Sequence, residues 1–340
     1  MYECTVQRPS RRLGAAGRCA ILGALYVGLV PRSTVVASRL GNGDSFTVVS
    51  LPDTQYYAAS HPEILGAQTD WILREQARSG VALVLHEGDI VDSDDSSQWR
   101  RASASLHKLD GVVPYVLSSG NHDYERSGDH ITRRTRLGEY FPAERFRRAS
   151  CDEATFEPGR IENSCHVIDV PGGPWLVLSL EFGPRDAVLA WADALAKRYA
   201  SLPAIVVTHA YLASDDTRYD HVGRDDQLWN PHRYVENARA GQVNDGEEIW
   251  HKLIVRNDNI LFVICGHDLG DGVGRLTSVR PDGTRVHQIL ANYQTGPLGG
   301  AGYLRLMEFF PAHRQVKVRT YSPYLDRFKT DPDNEFSLEY

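Results

Sequence analysis

The sequence has few cysteines, no excess of positive charge and no long apolar run. Five Cys among 340 residues are too few for a disulfide-rich scaffold or an array of zinc fingers. The 37 Lys and Arg against 44 Asp and Glu give a net charge of −7. This balance argues against a general nucleic-acid binder, which needs a basic face to displace phosphate counterions. With 42% apolar and 24% charged residues, the composition is that of a globular protein.

The beginning of the chain predicts a signal peptide over residues 1–37, with 38–340 as the mature protein. Four arginines within positions 8–18 precede an apolar run of 12 residues, shorter than the roughly 20 that a membrane-spanning helix needs. The motif Ser-Arg-Arg-Leu at 10–13 also fits a twin-arginine signal. The alternatives are an uncleaved membrane anchor or a misassigned start codon. We expect a secreted, periplasmic or cell-envelope protein with no stable membrane span after cleavage.

The predicted mature chain is more acidic and keeps three cysteines. Residues 1–37 contain five Arg and one Glu, so 32 basic and 43 acidic residues remain, a net charge of −11. Cys151 and Cys165 flank a polar loop and suit a disulfide in an oxidising compartment. Cys265 lies in an apolar run, which predicts a small buried hydrophobic residue.

Short runs rich in Val and Ile alternate with helical patterns, which predicts a single α/β domain over residues 38–340. The predicted strands cover 46–51, 81–85, 112–117, 175–180, 204–207, 260–264, 275–279, 286–291, 303–310 and 315–321. The predicted helices cover 63–79, 97–109, 185–199 and 247–256. Two long irregular insertions are expected at about 124–164 and 211–245.

Several of the predicted strands end in polar clusters. Their apolar runs do not alternate, which indicates strands covered on both faces, and such sheets bind ligands beyond the carboxyl ends of their strands. The clusters lie at 52–55, 87–92, 120–123, 208–210 and 265–268. Their carboxylates, amides and imidazoles are metal-ligating groups. A divalent cation would offset the cost of burying them and keep Asp53 and Asp89 ionised.

The order of these motifs resembles the calcineurin-like metallophosphoesterase superfamily over about residues 46–268. Gly-Asp-Ile-Val-Asp at 88–92 followed by Gly-Asn-His-Asp at 120–123 is the most specific part. Asp-Thr-Gln at 53–55 is similar to a subgroup that has Asp-x-Gln in place of Asp-x-His. The resemblance implies a four-layer α/β/β/α sandwich of two mixed sheets flanked by helices, with the tail in the second sheet.

The resemblance also implies a centre with two divalent metal ions. The implied ligands are Asp53 and Gln55 at the first metal, Asp89 between the two, and Asn121, His209 and His267 at the second. His122 would face the phosphate and protonate the leaving oxygen, and Asp123 would orient the His122 ring. Asp92 would shape the loop under the site.

Two positions depart from the superfamily pattern. Gln55 replaces a His, and Leu269 stands where the last His of Gly-His-x-His is found. The first metal site would then have only oxygen ligands, which favours Mn²⁺ or Mg²⁺ over Zn²⁺. The second, with its histidines, suits Zn²⁺, Fe²⁺ or Mn²⁺. Asp268 and Asp271 are alternative ligands in place of Leu269.

Other polar residues are predicted to lie outside the chemistry. Four histidines are predicted to take no part in the chemistry: His86, His107, His221 and His232. His86 is expected to face a covering helix. As an alternative, five residues would line the substrate pocket: His221, Trp229, Asn230, Tyr293 and Gln294. Arg133 and Arg134 are expected on a solvated helix face, with a contact to phosphate as the alternative.

Together these features predict an exported metal-dependent phosphoesterase. It would hydrolyse a phosphomonoester or phosphodiester by attack of a metal-bound hydroxide, with a small phosphoester as substrate. Because of Leu269, the alternative is a weakly active or inactive binding protein of the same fold with one well-formed metal site. A protein serine/threonine phosphatase is less favoured because an exported chain rarely meets such substrates. Neither a nucleic-acid patch nor a protein partner is predicted.

Overall fold

Two seven-stranded sheets form the framework of the computed structural model, which describes residues 45–128, 131–234 and 238–340. All of these residues belong to the unit Ser38–Tyr340. The predicted signal peptide, residues 1–37, lies outside the described residues. Among the helices in the described ranges, none is long and apolar enough to cross a membrane.

The strands, in chain order, are β1 (Phe46–Leu51), β2 (Val81–His86), β3 (Tyr115–Leu117), β4 (Ser150–Thr155), β5 (Ser164–Val170), β6 (Gly173–Leu180), β7 (Ala204–Thr208), β8 (Ile260–Cys265), β9 (Val273–Val279), β10 (Arg285–Ala291), β11 (Leu304–Phe310), β12 (Gln315–Ser322), β13 (Arg327–Lys329) and β14 (Glu335–Glu339). The first sheet has the order β13-β12-β11-β1-β2-β3, and β14 also pairs with β12. The second has the order β4-β5-β6-β7-β8-β10-β9. Each sheet contains a parallel block, β1-β2-β3 at one end of the first sheet and β6-β7-β8-β10 in the middle of the second.

The helices are α1 (Gln55–Ser60), α2 (Pro62–Ser79), α3 (Ser96–Leu106), α4 (Leu137–Tyr140), α5 (Asp186–Arg198), α6 (Gly246–Ile249) and α7 (Pro297–Gly300). Short 3₁₀ turns cover His107–Leu109, Ala143–Ala149, Pro231–Arg233 and Pro311–His313, and a π-helical turn covers Trp250–Ile254. The helix α2 ends at Gly80, which takes the left-handed conformation that favours glycine at helix ends. Asp95 caps α3 by accepting the backbone N–H groups of Ser97 and Gln98.

The two sheets pack against each other through their inner faces, and helices cover both outer faces. Val48 and Leu85 of the first sheet share an apolar cluster with Val207 and Phe262 of the second. The outer face of the first sheet packs on α2 and α3, and that of the second packs on α5 and the π-helical turn. This arrangement confirms the predicted four-layer α/β/β/α sandwich of two mixed sheets. The tail was expected in the second sheet, but β9 and β10 join the second sheet and β11 to β14 join the first.

The first predicted insertion contains regular structure that the sequence pattern missed. Its residues include all of β4, an edge strand of the second sheet. A disulfide joins Cys151 of β4 to Cys165 of β5, the pair that the sequence suggested. Cys265 is a free, buried thiol, as expected from its apolar surroundings.

Arg133 is a correction within the same insertion. It lies in a loop and is buried, not on a solvated helix face. Its guanidinium donates to the carbonyl oxygens of Phe182 and Gly183 at 2.7 and 2.8 Å. It also lies 3.4 Å from the Glu181 carboxylate. The residue therefore joins the insertion to the end of β6, whereas Arg134 is exposed as expected.

Candidate metal centre

The parallel strands of both sheets place polar residues at one edge of the molecule. Asp53, Asp89 and Asn121 follow β1, β2 and β3 of the first sheet, and His209 and His267 follow β7 and β8 of the second. All five side chains are buried. The centre is therefore built from both sheets, and residues distant in the chain meet only through the fold.

Three of the predicted ligand atoms converge on the Nε2 atom of His209. Its Nε2 atom lies 3.3 Å from Asp89 Oδ1, 3.2 Å from Asn121 Oδ1 and 3.1 Å from His267 Nδ1. Ligating atoms of Asp53, Asp89 and His209 lie within 4.8 Å of one another. These distances are of the size expected between atoms that share a metal ion.

The two imidazoles are oriented by their outer nitrogens. His209 Nδ1 donates to the Glu87 carbonyl at 2.9 Å, and His267 Nε2 donates to the Trp229 carbonyl at 2.8 Å. In the neutral rings, the lone pairs of His209 Nε2 and His267 Nδ1 would then face each other at 3.1 Å. This repulsion requires a positive charge between the rings, either a proton or a metal ion. Backbone carbonyls bound to the second ring nitrogen are the usual support of metal-binding histidines.

The pKa values of the buried carboxylates and of His209 also indicate that the centre requires a positive charge. Burial raises the pKa of Asp53, to about 7, and the charge of Asp89 adds to that rise. Burial acts to raise the pKa of Asp89 too, but His209 and His122 outweigh it and hold that pKa below its usual value. Burial acts to lower the pKa of His209, yet Asp89 and Asp53 raise it to about 10. The carboxylates therefore draw a positive charge into the centre, which a divalent cation would supply.

Backbone geometry holds these side chains close together. Asp89 and His267 have positive φ angles, 48° and 76°. Residues other than glycine rarely adopt this backbone conformation, and those that do cluster at functional sites. The glycines before the ligands allow close approach. A Cβ added at Gly88 would lie 2.7 Å from His209 Nδ1, one at Gly120 would lie 2.1 Å from Asp89 Oδ1, and one at Gly266 would lie 2.2 Å from Asp53 Oδ1.

The sixth predicted ligand, Gln55, is the first residue of α1. Its side chain is buried, and its Oε1 atom has no hydrogen-bond partner within the described part of the chain. A buried carbonyl oxygen without a partner costs free energy, so this atom fits a role as a metal ligand. No hydrogen bond joins it to the other five residues in the described ranges.

His122 and Asp123 differ from the predicted pairing. Asp123 accepts the backbone N–H groups of Val91 and Gly120, at 3.0 and 2.8 Å, and does not orient the His122 ring. His122 Nδ1 instead donates to the Asp92 carbonyl at 2.8 Å, with the Asp92 carboxylate 3.6 Å away. Asp92 therefore positions His122. The Asp123 carboxylate shapes the loop, because both of its oxygens accept backbone N–H groups.

The His122 ring is partly exposed, and nearby carboxylates favour its protonated form. Burial acts to lower the pKa of His122, but Asp89 and the Asp92 contacts outweigh it and raise it. With Nδ1 bound to a carbonyl, its Nε2 atom is left to contact a substrate. A protonated ring at this position suits a proton donor.

Sequence reasoning missed Asn292, which belongs to the centre. Its Nδ2 atom donates to Asp53 Oδ2 at 3.0 Å. Asn292 directly follows β10, so the rule of polar residues after parallel strands would have found it. The neighbouring Tyr293 binds Thr320 and Asn334 through its hydroxyl and does not line the centre.

The alternative ligands for the position of Leu269 are engaged elsewhere. The Asp268 carboxylate accepts the Tyr219 hydroxyl at 2.5 Å. Asp271 is exposed and accepts the backbone N–H of Val273 at 3.2 Å. Neither carboxylate contacts the five converging side chains through a hydrogen bond in the described ranges. His86 is also engaged, at 2.9 Å from the Thr54 hydroxyl.

Comparisons with known proteins agree with this geometry. A family model described as calcineurin-like phosphoesterase matches residues 52–271. The uncharacterized protein YvnB of Bacillus subtilis is 34% identical over 316 residues, covering 87% of this chain and 22% of its own length. A probable inactive purple acid phosphatase 24 of Arabidopsis thaliana is 25% identical over 225 residues, covering 56% of this chain and 33% of its own length. The chain thus spans a third or less of both relatives.

Among solved structures, the protein described as GAP50, the anchor in the inner membrane complex of Plasmodium, aligns with a TM-score of 0.44 at 12% identity. That alignment covers 87% of this chain and 90% of the other.

Proposed function

Because the chain belongs to the calcineurin-like phosphoesterase family, we propose that it is an exported hydrolase of small phosphomonoesters or phosphodiesters that uses two divalent metal ions. The observation that carries the proposal is the pair of His209 and His267 lone pairs facing each other beside Asp89 and Asn121. These donors fit a divalent cation. When bound, such cations would activate water and offset the charge of the phosphate.

The residues of the chain would divide the remaining work. Asp89, Asn121, His209 and His267 would hold one metal, and Asp53, Gln55 and Asp89 would hold the other. With only oxygen ligands, this other site is proposed to prefer Mn²⁺, whereas the site with histidines suits Zn²⁺, Fe²⁺ or Mn²⁺. His122, positioned by Asp92, would donate a proton to the leaving oxygen.

The test combines metal analysis with hydrolysis of p-nitrophenyl phosphate and its bis ester. We expect at least about two equivalents of metal and turnover stimulated by Mn²⁺. Replacing Asp89 by Ala should abolish turnover and lower the metal content, because its carboxylate would serve both sites. The matched control is Asp271→Ala, which removes an exposed carboxylate outside the centre. Unchanged turnover in Asp89→Ala would reject the assignment.

A binding protein of the same fold is the second candidate. Leu269 cannot coordinate metal, and the relative from Arabidopsis is described as probably inactive. One tightly bound metal ion and no hydrolysis of a broad phosphoester panel would favour this candidate.

Export is proposed on separate grounds. The predicted signal peptide over 1–37 and the disulfide between Cys151 and Cys165 both suit an oxidising compartment. Cell fractionation with mass spectrometry of the N-terminus tests it. Recovery of the uncleaved chain with free thiols from the cytoplasm would contradict it.

A further inference from the structure

The second insertion and the helix after it carry a group of metal-ligating side chains that the proposed hydrolysis does not use. This insertion cluster consists of His221, His232, Asp245 and Glu248, and one ligating atom from each lies within 4.8 Å of all the others. We propose that the insertion cluster binds a further divalent transition-metal ion, with Zn²⁺ as the best match to its donors. The proposal does not depend on the phosphoesterase activity.

The distances between the donor atoms suit one ion. In a tetrahedral zinc site with bonds of about 2.0–2.1 Å, neighbouring ligand atoms lie roughly 3.3 Å apart. His221 Nδ1 is 2.9 Å from Asp245 Oδ2 and 4.0 Å from Glu248 Oε2. His232 Nε2 is 2.7 Å from Glu248 Oε2. These values bracket the spacing of a tetrahedral site, so small side-chain shifts would suffice.

Hydrogen bonds and ring stacking hold the side chains of the insertion cluster in place. Asp245 and Glu248 form a reciprocal capping box at the start of α6, which fixes both carboxylates relative to each other. Asn230 donates to Asp245 Oδ2 at 3.1 Å and accepts the backbone N–H of His232 at 3.0 Å. The rings of His221 and His232 stack with centroids 3.6 Å apart. Ligands held in this way lose little conformational freedom on binding an ion.

The charge and the access of the cluster also fit a cation. Apart from Asp245, its side chains are partly exposed. His221, Asp245 and Glu248 border an open cavity of ≈ 330 Å³, whose lining adds Asp220, Glu247 and Lys252. Lys252 contacts Glu248 through Oε1 at 3.2 Å, which leaves Oε2 toward the histidines. Two imidazoles and two carboxylates without a thiolate suit Zn²⁺ or Co²⁺.

An ion in the cluster would anchor the second insertion over the metal centre. Trp229 lies between His221 and His232 in the chain, and its carbonyl accepts the His267 Nε2–H at 2.8 Å. A bond from the ion to both histidines would tie this stretch to α6. The role is therefore one of positioning, not of direct participation in chemistry.

The experiment uses the full chain with Asp89→Ala as background, which weakens the main centre. After chelation, the protein is titrated with Zn²⁺ alone and with Co²⁺, whose absorption reports coordination. We expect about one equivalent to remain bound in this background. Adding His232→Ala or Glu248→Gln should weaken that binding by at least about 100-fold and remove the Co²⁺ bands. Glu248→Gln keeps an acceptor for the capping box.

His251→Ala is the matched control, since this histidine is exposed and borders the same cavity but forms its ion pair with Glu247, outside the insertion cluster. It should bind the ion as the background does. Circular dichroism without metal verifies folding, and if the background variant fails to fold, the same changes in the unmodified protein should lower its total metal content by one equivalent. Equal binding in all variants, or no bound ion in a folded background, would overturn the proposal.

Discussion

Gly120 lies between β3 and Asn121, and a Cβ at this position would lie 2.1 Å from Asp89 Oδ1. The collision is with a buried, hydrogen-bonded carboxylate that cannot move aside freely. Gly120→Ala should therefore lower metal affinity and destabilise the fold by about 1–3 kcal/mol, a typical cost of overpacking. Urea unfolding and metal analysis measure both effects. Gly138→Ala, where the new Cβ finds only an ordinary contact at 3.9 Å, should leave metal content unchanged.

His122 offers a second prediction at the scale of one side chain. If its ring protonates the leaving oxygen, His122→Ala should lower kcat for an alkyl phosphate by about 10²–10⁴-fold. The loss should be much smaller for p-nitrophenyl phosphate, whose leaving group needs no proton. Metal content should stay the same, and the exposed His313→Ala serves as control. Equal losses for both substrates would argue against a proton donor.

Among the elements, the end of β6 depends on a buried carboxylate. Glu181 accepts two hydrogen bonds from the Arg185 guanidinium, at 2.8 and 3.0 Å, one from the Arg185 backbone N–H at 3.2 Å and one from Asn163 at 2.9 Å. Arg133 of the first insertion completes its surroundings. Burial acts to raise the pKa of Glu181, but Arg133 and Arg185 outweigh it and hold the pKa below its ordinary value. The ionised carboxylate is therefore favoured in the folded state.

Replacing Glu181 by Gln should cost about 3–5 kcal/mol at neutral pH, because the buried Arg133 would keep its carbonyl contacts but lose the negative charge of Glu181. The wild-type advantage is complete above the unfolded pKa of about 4.5 and is lost as pH falls through the lower folded value. The difference in unfolding free energy between the wild type and Glu181→Gln should therefore be larger at about pH 7 than at about pH 3. The half-exposed Glu157→Gln should cost at most about 1 kcal/mol.

The sequence predicts most elements because their apolar runs are long and their ends carry glycine or polar residues. It predicts the five residues that converge at the centre because each follows such a run. It does not predict β4, since Ser-Cys-Asp-Glu-Ala-Thr is a polar stretch that forms a strand only at the edge beside β5. Nor does it predict the burial of Arg133, whose partner Glu181 is distant in the chain. Such features depend on tertiary contacts, which local patterns do not contain.

For the whole molecule, the centre joins two sheets, so metal removal should affect global stability. A ligand present at 100 times its Kd and bound only by the folded state contributes about 2.7 kcal/mol. Chelation should therefore lower Tm, and added Mn²⁺ or Zn²⁺ should restore it. In Asp89→Ala the same treatment should change Tm less. An identical shift in both proteins would place the stabilising ion elsewhere, with the insertion cluster as the first place to look.

The division of the centre between the sheets has a consequence for assembly. Its anionic half follows β1 and β2, and its imidazole half follows β7 and β8. Neither half alone offers the complete coordination set of this centre, so a partly folded chain with only one half in place lacks this site. In a chain that carries His232→Ala, which removes the insertion cluster, uptake of a spectroscopically visible cation during refolding thus reports the docking of the two halves.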